Sequence, residues 1–169
     1  MTRASFDSIF EGELAYVWTS LRRLGVPERD IPDVTQELFV EVHRKLDHYD
    51  AARPIRPWLF AFAVRFASDY RRSARVRREA ISDAEPEGAA SSPEDHAEAA
   101  RRRALVQRAL EAIEEERRPV FVLHELDEVS GPEIADALGI PLNTVYSRLR
   151  LARDEFRAAL SRAVKGGRS

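Results

Sequence analysis

The sequence predicts an all-α protein: two small helical domains joined by a flexible acidic linker. Three observations carry that prediction. Apolar residues recur at three- and four-residue intervals in both halves, Gly and Pro punctuate them, and no stretch alternates as a strand would. Between the halves, residues 80–100 (AISDAEPEGAASSPEDHAEAA) are poor in large apolar side chains and hold Pro86, Gly88, Ser91, Ser92 and Pro93. A segment of that length and composition suits a tether better than a compact surface loop. The domains are therefore drawn at residues 1–79 and 101–169.

In the first half, Phe6, Ile9, Phe10, Leu14, Val17, Trp18 and Leu21 fall at helical spacing, and Gly25 and Pro27 end the run. Asp30 or Pro32 starts a second helix with Val34, Leu38, Val42 and Leu46 as its buried stripe. The other face of that helix shows Asp33, Gln36, Glu37, Glu41, Arg44 and Lys45. A loop from Asp47 to Pro57 carries Tyr49, Arg53 and Arg56. A third helix, Trp58 to Val76, is dense in aromatics and runs into the cluster Arg71, Arg72, Arg75, Arg77 and Arg78.

The stretch Ser130–Arg153, SGPEIADALGIPLNTVYSRLRLAR, has the form of a helix-turn-helix. Ser130 with Glu133 three residues on is a capping-box start, with Pro132 in the first turn. Ile134, Ala135 and Leu138 give the first helix an apolar face. Gly139 supplies the permissive position that stops it, and Pro141 lies just beyond. Val145, Leu149, Ala152 and Phe156 make a buried stripe on the second helix. Off that stripe lie Asn143, Tyr146, Ser147, Arg150 and Arg153, flanked by Arg148, as a face suited to the edges and phosphates of a DNA major groove.

The formal net charge of −2 argues against a nucleic-acid binder until its distribution is read. Six acids and no Lys or Arg lie between residues 80 and 100, whereas Leu142 to Ser169 carries six Arg and one Lys against Asp154 and Glu155. Local patches, not the chain sum, set phosphate attraction. With no cysteine, neither a disulfide framework nor a thiolate metal site is available. The four His show no ligand spacing on one helix face, there is no glycine-rich phosphate loop, and no cofactor is called for. The N-terminus lacks the apolar core of a signal peptide and no apolar run reaches membrane-spanning length, so a cytoplasmic, non-inserted protein is expected.

Taken in order, these motifs resemble a bacterial RNA polymerase sigma factor of the extracytoplasmic function class, in the sigma-70 family. DIPDVTQELFVEV (Asp30–Val42) resembles the family's D-A-E-D-L-V-Q-E helix. RPWLFAFAVRFASDYRRSARVRRE resembles its W-L-F-x-I-A-R-N helix, and NTVYSRLRLAR its T-V-x-S-R-L-x-x-A-R recognition helix. The resemblance spans nearly the whole chain.

It implies that Asp33, Gln36, Glu37 and Glu41 dock on the clamp of core RNA polymerase, and that the second domain meets the flap. It implies that Tyr49, Arg53 and Arg56 take up the opened minus-ten element, and that Arg65, Arg71, Arg72 and Arg75 hold its phosphates. Asn143, Thr144, Tyr146, Ser147 and Arg150 would read the minus-thirty-five element, with Arg148 and Arg153 gripping phosphate. An anti-sigma factor that masks both domains is a further implied partner. Four positions depart from the family pattern: Tyr146 in place of a basic residue, Asn143 in place of glycine, Leu151 in place of a frequent Arg, and Arg65 in place of a frequent Asn. The rival readings are a stand-alone helix-turn-helix regulator binding DNA as a dimer, an all-helical interaction module, and an enzyme.

Overall fold

Helix α1 (Phe6–Arg23) begins where the Ser5 hydroxyl accepts the Ser8 backbone N–H at 3.2 Å. The first turn of a helix leaves such donors unpaired, and a serine cap satisfies one of them. The computed structural model describes residues 5–80 and 94–167. After α1 come α2 (Ile31–Lys45), α3 (Ile55–Ala80), α4 (Glu94–Glu111), a short α5 (Arg118–Phe121) continued by a π-type turn (Val122–Leu126), α6 (Gly131–Leu138) and α7 (Leu142–Gly166). No strand occurs among the described residues, so the fold is all-α as expected.

The sequence stripes are the faces that pack. Ile9, Val17 and Leu21 of α1 meet Val34, Leu38, Phe39 and Val42 of α2 and Leu59, Phe60, Ala63 and Ala67 of α3, all nearly inaccessible to solvent. In the second group, α4, α5 and α6 each pack on α7. There Val145, Leu149 and Ala152 are buried, and Phe156 stacks on Phe121 with centroids 4.8 Å apart. The helix-turn-helix closes as its sequence prescribes. The Ser130 hydroxyl caps Glu133 N–H, the Glu133 carboxylate reaches back to Ser130 N–H, and Gly139 takes the left-handed conformation at φ 64°.

Two boundaries differ from the sequence reading. Helix α3 begins at Ile55, not Trp58, with Pro57 inside its first turn; proline costs nothing there, because those N–H groups have no helical acceptor. Helix α4 reaches back to Glu94, so residues 94–100 of the expected linker are helical. EDHAEAARRR is rich in strong helix formers, which the linker reading outweighed with its Ser, Pro and Gly neighbours. The remainder of that linker, 81–93, lies outside the described residues. The two helical groups are also in contact: α3 packs on α6 and α1 on α4, and one buried cluster runs through both.

Candidate nucleic-acid and partner interfaces

Helix α7 presents the predicted reading face to solvent. Asn143, Ser147 and Arg150 are exposed, Thr144 is half-buried, and Arg150 has no partner among the described residues. The Asn143 side-chain oxygen accepts Thr144 N–H at 2.9 Å, and the Ser147 hydroxyl donates to the Thr144 carbonyl at 3.2 Å. Tyr146 is bound to its own domain: its ring lies over Gly131, where an added Cβ would sit 2.7 Å from the phenol oxygen. Its outer edge is free, at 51% exposure. The tyrosine therefore couples the start of α6 to the reading face, and Gly131 is required for that approach.

The flanking arginines are held. Arg148 meets the carbonyl and carboxylate of Glu116 at 3.4 Å, and Arg153 donates to Glu125 at 2.6 Å. Burial works against charge on Glu125, but Arg153, with His124 beside it, holds the carboxyl below its ordinary range. Exchange of these carboxylates for DNA phosphates is chemically simple, since both are anions of similar reach.

The loop before α3 is built around an aromatic wall. Tyr49 lies on Trp58 and Trp58 meets Phe62 edge-on, each pair with centroids 4.9 Å apart. An Asx turn, Ala52 N–H to the Asp50 carboxylate at 3.0 Å, shapes the loop. The cavity beside this wall measures about 490 Å³ and is lined by Tyr49, Arg53, Pro57 and Trp58 on one side and Glu133, Asp136 and Ala137 of α6 on the other. Trp58 is thus a wall as well as a packing residue.

The cations assigned to this region are nearly all engaged. Arg53 pairs with Asp136 of α6. Arg56 donates to Glu13 at 2.8 Å, with its guanidinium 4.9 Å from the Tyr16 ring centroid. Arg65 lies over Phe62 and Phe66 and 3.8 Å from Glu41. Arg71 donates to the Leu24 carbonyl and to Glu115 at 2.9 Å. Arg72 pairs with Asp69 at 3.0 Å on an exposed helix surface, and Arg75 is exposed without a partner among the described residues.

The polar face of α2 divides in two. Gln36 borders an apolar groove of about 580 Å³ formed by Phe6, Phe10, Phe39 and Val40, of which Phe10 and Val40 are 37% and 49% exposed. Asp33 and Glu37 instead border a hollow between α2 and α3 with Asp30, Asp69, Tyr70 and Arg77. Glu41 is ringed by Lys45 at 3.4 Å and by Arg44 and Arg65 at 3.8 Å. The apolar groove was missed in the sequence; its signal was Phe6 and Phe10 one turn apart, with Val40 displaced from the buried stripe. Among the described residues no cluster of His, Asp and Glu suits a metal ion, and no helix is long and apolar enough to cross a membrane.

A helix-turn-helix whose second helix exposes Asn143, Ser147 and Arg150, packed on a second helical unit with an aromatic and cationic loop, has the form of a two-part DNA-binding protein. The models for "Sigma-70 region 2" and "Sigma-70, region 4" match residues 9–77 and 103–156. The RNA polymerase sigma factor NccH of Alcaligenes xylosoxydans xylosoxydans is 33% identical over 144 residues, 82% of this chain and 77% of its own length. The ECF RNA polymerase sigma-E factor of Escherichia coli K12 is 36% identical over 140 residues, 76% of this chain and 73% of its own. Among solved structures, CnrH in complex with the cytosolic domain of CnrY superposes with a TM-score of 0.63 at 28% identity, covering 92% of this chain and 87% of that one. The chain belongs to the sigma-70 family of RNA polymerase sigma factors, in its ECF class.

Proposed function

We propose that this sigma factor docks on core RNA polymerase through α2 and selects promoters with the exposed face of α7. Polymerase binding rests on Gln36 and Glu37, with Asp33 and Glu41 at the rim and the Phe10–Val40 groove beside Gln36. Polar groups next to an exposed apolar surface suit a stable protein interface, in which the apolar part supplies affinity and the charges supply register. The minus-thirty-five element is read by Asn143, Thr144, Ser147 and Arg150, with Tyr146 at the edge and Arg148 and Arg153 turning to phosphate.

The minus-ten element is taken up at the Tyr49–Trp58 wall. A π-face of this kind stacks an unstacked base, worth about 1–3 kcal/mol per base. Arg53 and Arg56 border it, and Arg65, Arg71, Arg72 and Arg75 lie along α3 for the backbone. The domain limits are kept at 1–79 and 101–169, with the seven residues of α4 before 101 leading into the second domain. Catalysis belongs to the polymerase, and the chain works with it in the cytoplasm. The solved CnrH structure holds the cytosolic domain of CnrY; we extend to this chain a masking protein partner of the anti-sigma kind.

The observation that carries this reading is a closed helix-turn-helix whose Asn143, Ser147 and Arg150 are exposed on α7. The experiment is co-elution of the purified protein with bacterial core RNA polymerase, followed by transcription of a fragmented genomic template. A stable complex that initiates at a small set of sites supports the role. Tight binding of DNA by the free protein as a dimer, with no polymerase complex, would favour the stand-alone regulator.

A further inference from the structure

Tyr146 puts an aromatic ring among the polar groups of the α7 reading face, and its hydroxyl has no hydrogen-bond partner among the described residues. Shape fixes the ring instead. The phenol lies across the first residue of α6, where a Cβ on Gly131 would meet Oη at 2.7 Å, Cζ at 2.9 Å and Cε1 at 3.0 Å. Carbon contacts settle at about 3.5–4.0 Å, so any larger residue would push the ring away. Gly131 is buried under it, although Ser130 and Pro132 on either side are exposed. Its φ is not positive, unlike those of Gly25 and Gly139, so glycine is required here for space and not for backbone freedom. The capping box between Ser130 and Glu133 fixes the helix end on which the ring rests.

Residues three and four apart on a helix are neighbours, so Tyr146 stands beside Asn143 on one side and Arg150 on the other. At about 1.5 Å per residue, Asn143 and Arg150 are about 10 Å apart along the axis. That is about three base-pair steps of DNA. The ring therefore faces the base pairs between those two contacts. Asn and Arg suit the hydrogen-bonding edges of adenine and guanine. The hydroxyl end of Tyr146 is turned back on α6, so the ring offers the groove carbon, not a donor. The apolar group that the major groove presents is the C5 methyl of thymine.

We propose that Tyr146 is a specificity-determining residue that reads the C5 methyl of one thymine in the minus-thirty-five element, and that Gly131 is the positioning residue that sets its ring. This rests on the promoter-reading role assigned above to α7.

The test uses holoenzyme assembled from core polymerase and the full chain, on a promoter mapped by its start site. Each thymine of the minus-thirty-five element is replaced singly by deoxyuridine, which keeps the base pair and removes only the methyl. One such replacement should weaken the complex about fourfold, the effect of burying one methyl-sized group. That sensitivity should vanish in Tyr146→Ala and persist in Tyr146→Phe, because the hydroxyl makes no bond. It should also vanish in Gly131→Ala, whose Cβ meets only the far end of a movable side chain, so the fold is kept. Gly131→Ala with Tyr146→Ala should behave as Tyr146→Ala alone, as expected of two residues in contact. Melting curves accompany each variant, and the comparison of Tyr146→Ala with Tyr146→Phe decides the thymine contact without any change at Gly131.

No methyl dependence in the unsubstituted holoenzyme, or one that survives Tyr146→Ala, overturns the proposal. So does an element with no thymine within three base pairs of the position whose choice is lost in Arg150→Ala. Methyl dependence that survives Gly131→Ala overturns the positioning role of the glycine. Arg150→Ala on the same templates separates this proposal from the one beneath it. Base choice lost in Arg150→Ala, with no methyl dependence anywhere, refutes the thymine contact and keeps α7 as the reading helix. Indifference of every variant to every base of the element refutes α7 as the reader, and the thymine contact with it.

Discussion

Helix α7 and the loop before α3 are both assigned to DNA, yet their cations are engaged in opposite ways. On α7 the forward residue Arg150 is unpaired among the described residues, and the flanking Arg148 and Arg153 are tied to Glu116 and Glu125 of the same domain. Around the loop, Arg53 and Arg71 are held by Asp136 and Glu115 from the other domain, and Arg56 by Glu13 of α1. A reading face on one helix is assembled by local periodicity alone. The loop proposed to take up a strand is assembled by tertiary contacts, so the exposure of its cations depends on how the helical groups pack.

The largest expected effects test whether the two regions share one scaffold. Leu149 is 3% exposed and Leu59 fully buried, in α7 and α3 respectively. Replacing either with alanine should cost about 2–5 kcal/mol, the usual range for a cavity left by a core leucine. Because one buried cluster spans both groups, calorimetry of either variant should show a single lowered transition. Two separate transitions, only one of them shifted, would mean that the domains melt independently.

Next in size is the contrast between reading and holding. Arg150→Ala should lose about 1–3 kcal/mol of discrimination at one base pair, measured on holoenzyme with promoter variants. Arg75→Ala should weaken binding alike on all sequences and reduce the salt slope by about 1. The reverse pattern would exchange the roles of α7 and α3.

The smallest effect is a pH dependence confined to the second domain. The hydrogen bonds from Ser130 lower the Glu133 carboxyl, and Arg153 holds Glu125 low against the cost of burial. Groups depressed in the folded state stabilise it above their unfolded value, near 4.5 for an ordinary glutamate, and that support is lost as pH falls through the folded value. The melting temperature should therefore fall on acidification below about pH 4.5, and Glu125→Gln should flatten part of that fall.

Much of this was legible in the chain because it is local. The capping box at Ser130, the stop at Gly139 and the Val145–Leu149–Ala152 stripe each need only neighbours within one or two turns, and each occurs as read. The aromatic wall was half legible: Tyr49 and Trp58 were named, but their stacking depends on where α3 begins. Asp127, Asp136, Glu115 and Arg118 carried no sequence signal. Their partners in the other helical group lie 44 to 111 residues away, from Arg71 with Glu115 to Tyr16 with Asp127, and charged residues on helix faces look alike until packing selects among them. Gln36 and Glu37 were singled out by resemblance, whereas the apolar groove beside Gln36 needed α1 and α2 side by side.

The most direct measurement crosses two double variants in one assay: Ser147→Ala with Arg150→Ala, and Gln36→Ala with Glu37→Ala. Each is scored for co-elution with core RNA polymerase and for start sites on a genomic template. The first pair should bind polymerase normally and lose promoter choice; the second should lose polymerase while the chain melts as before. Unchanged start sites from the first pair, or normal co-elution of the second, would contradict the division of labour between α7 and α2.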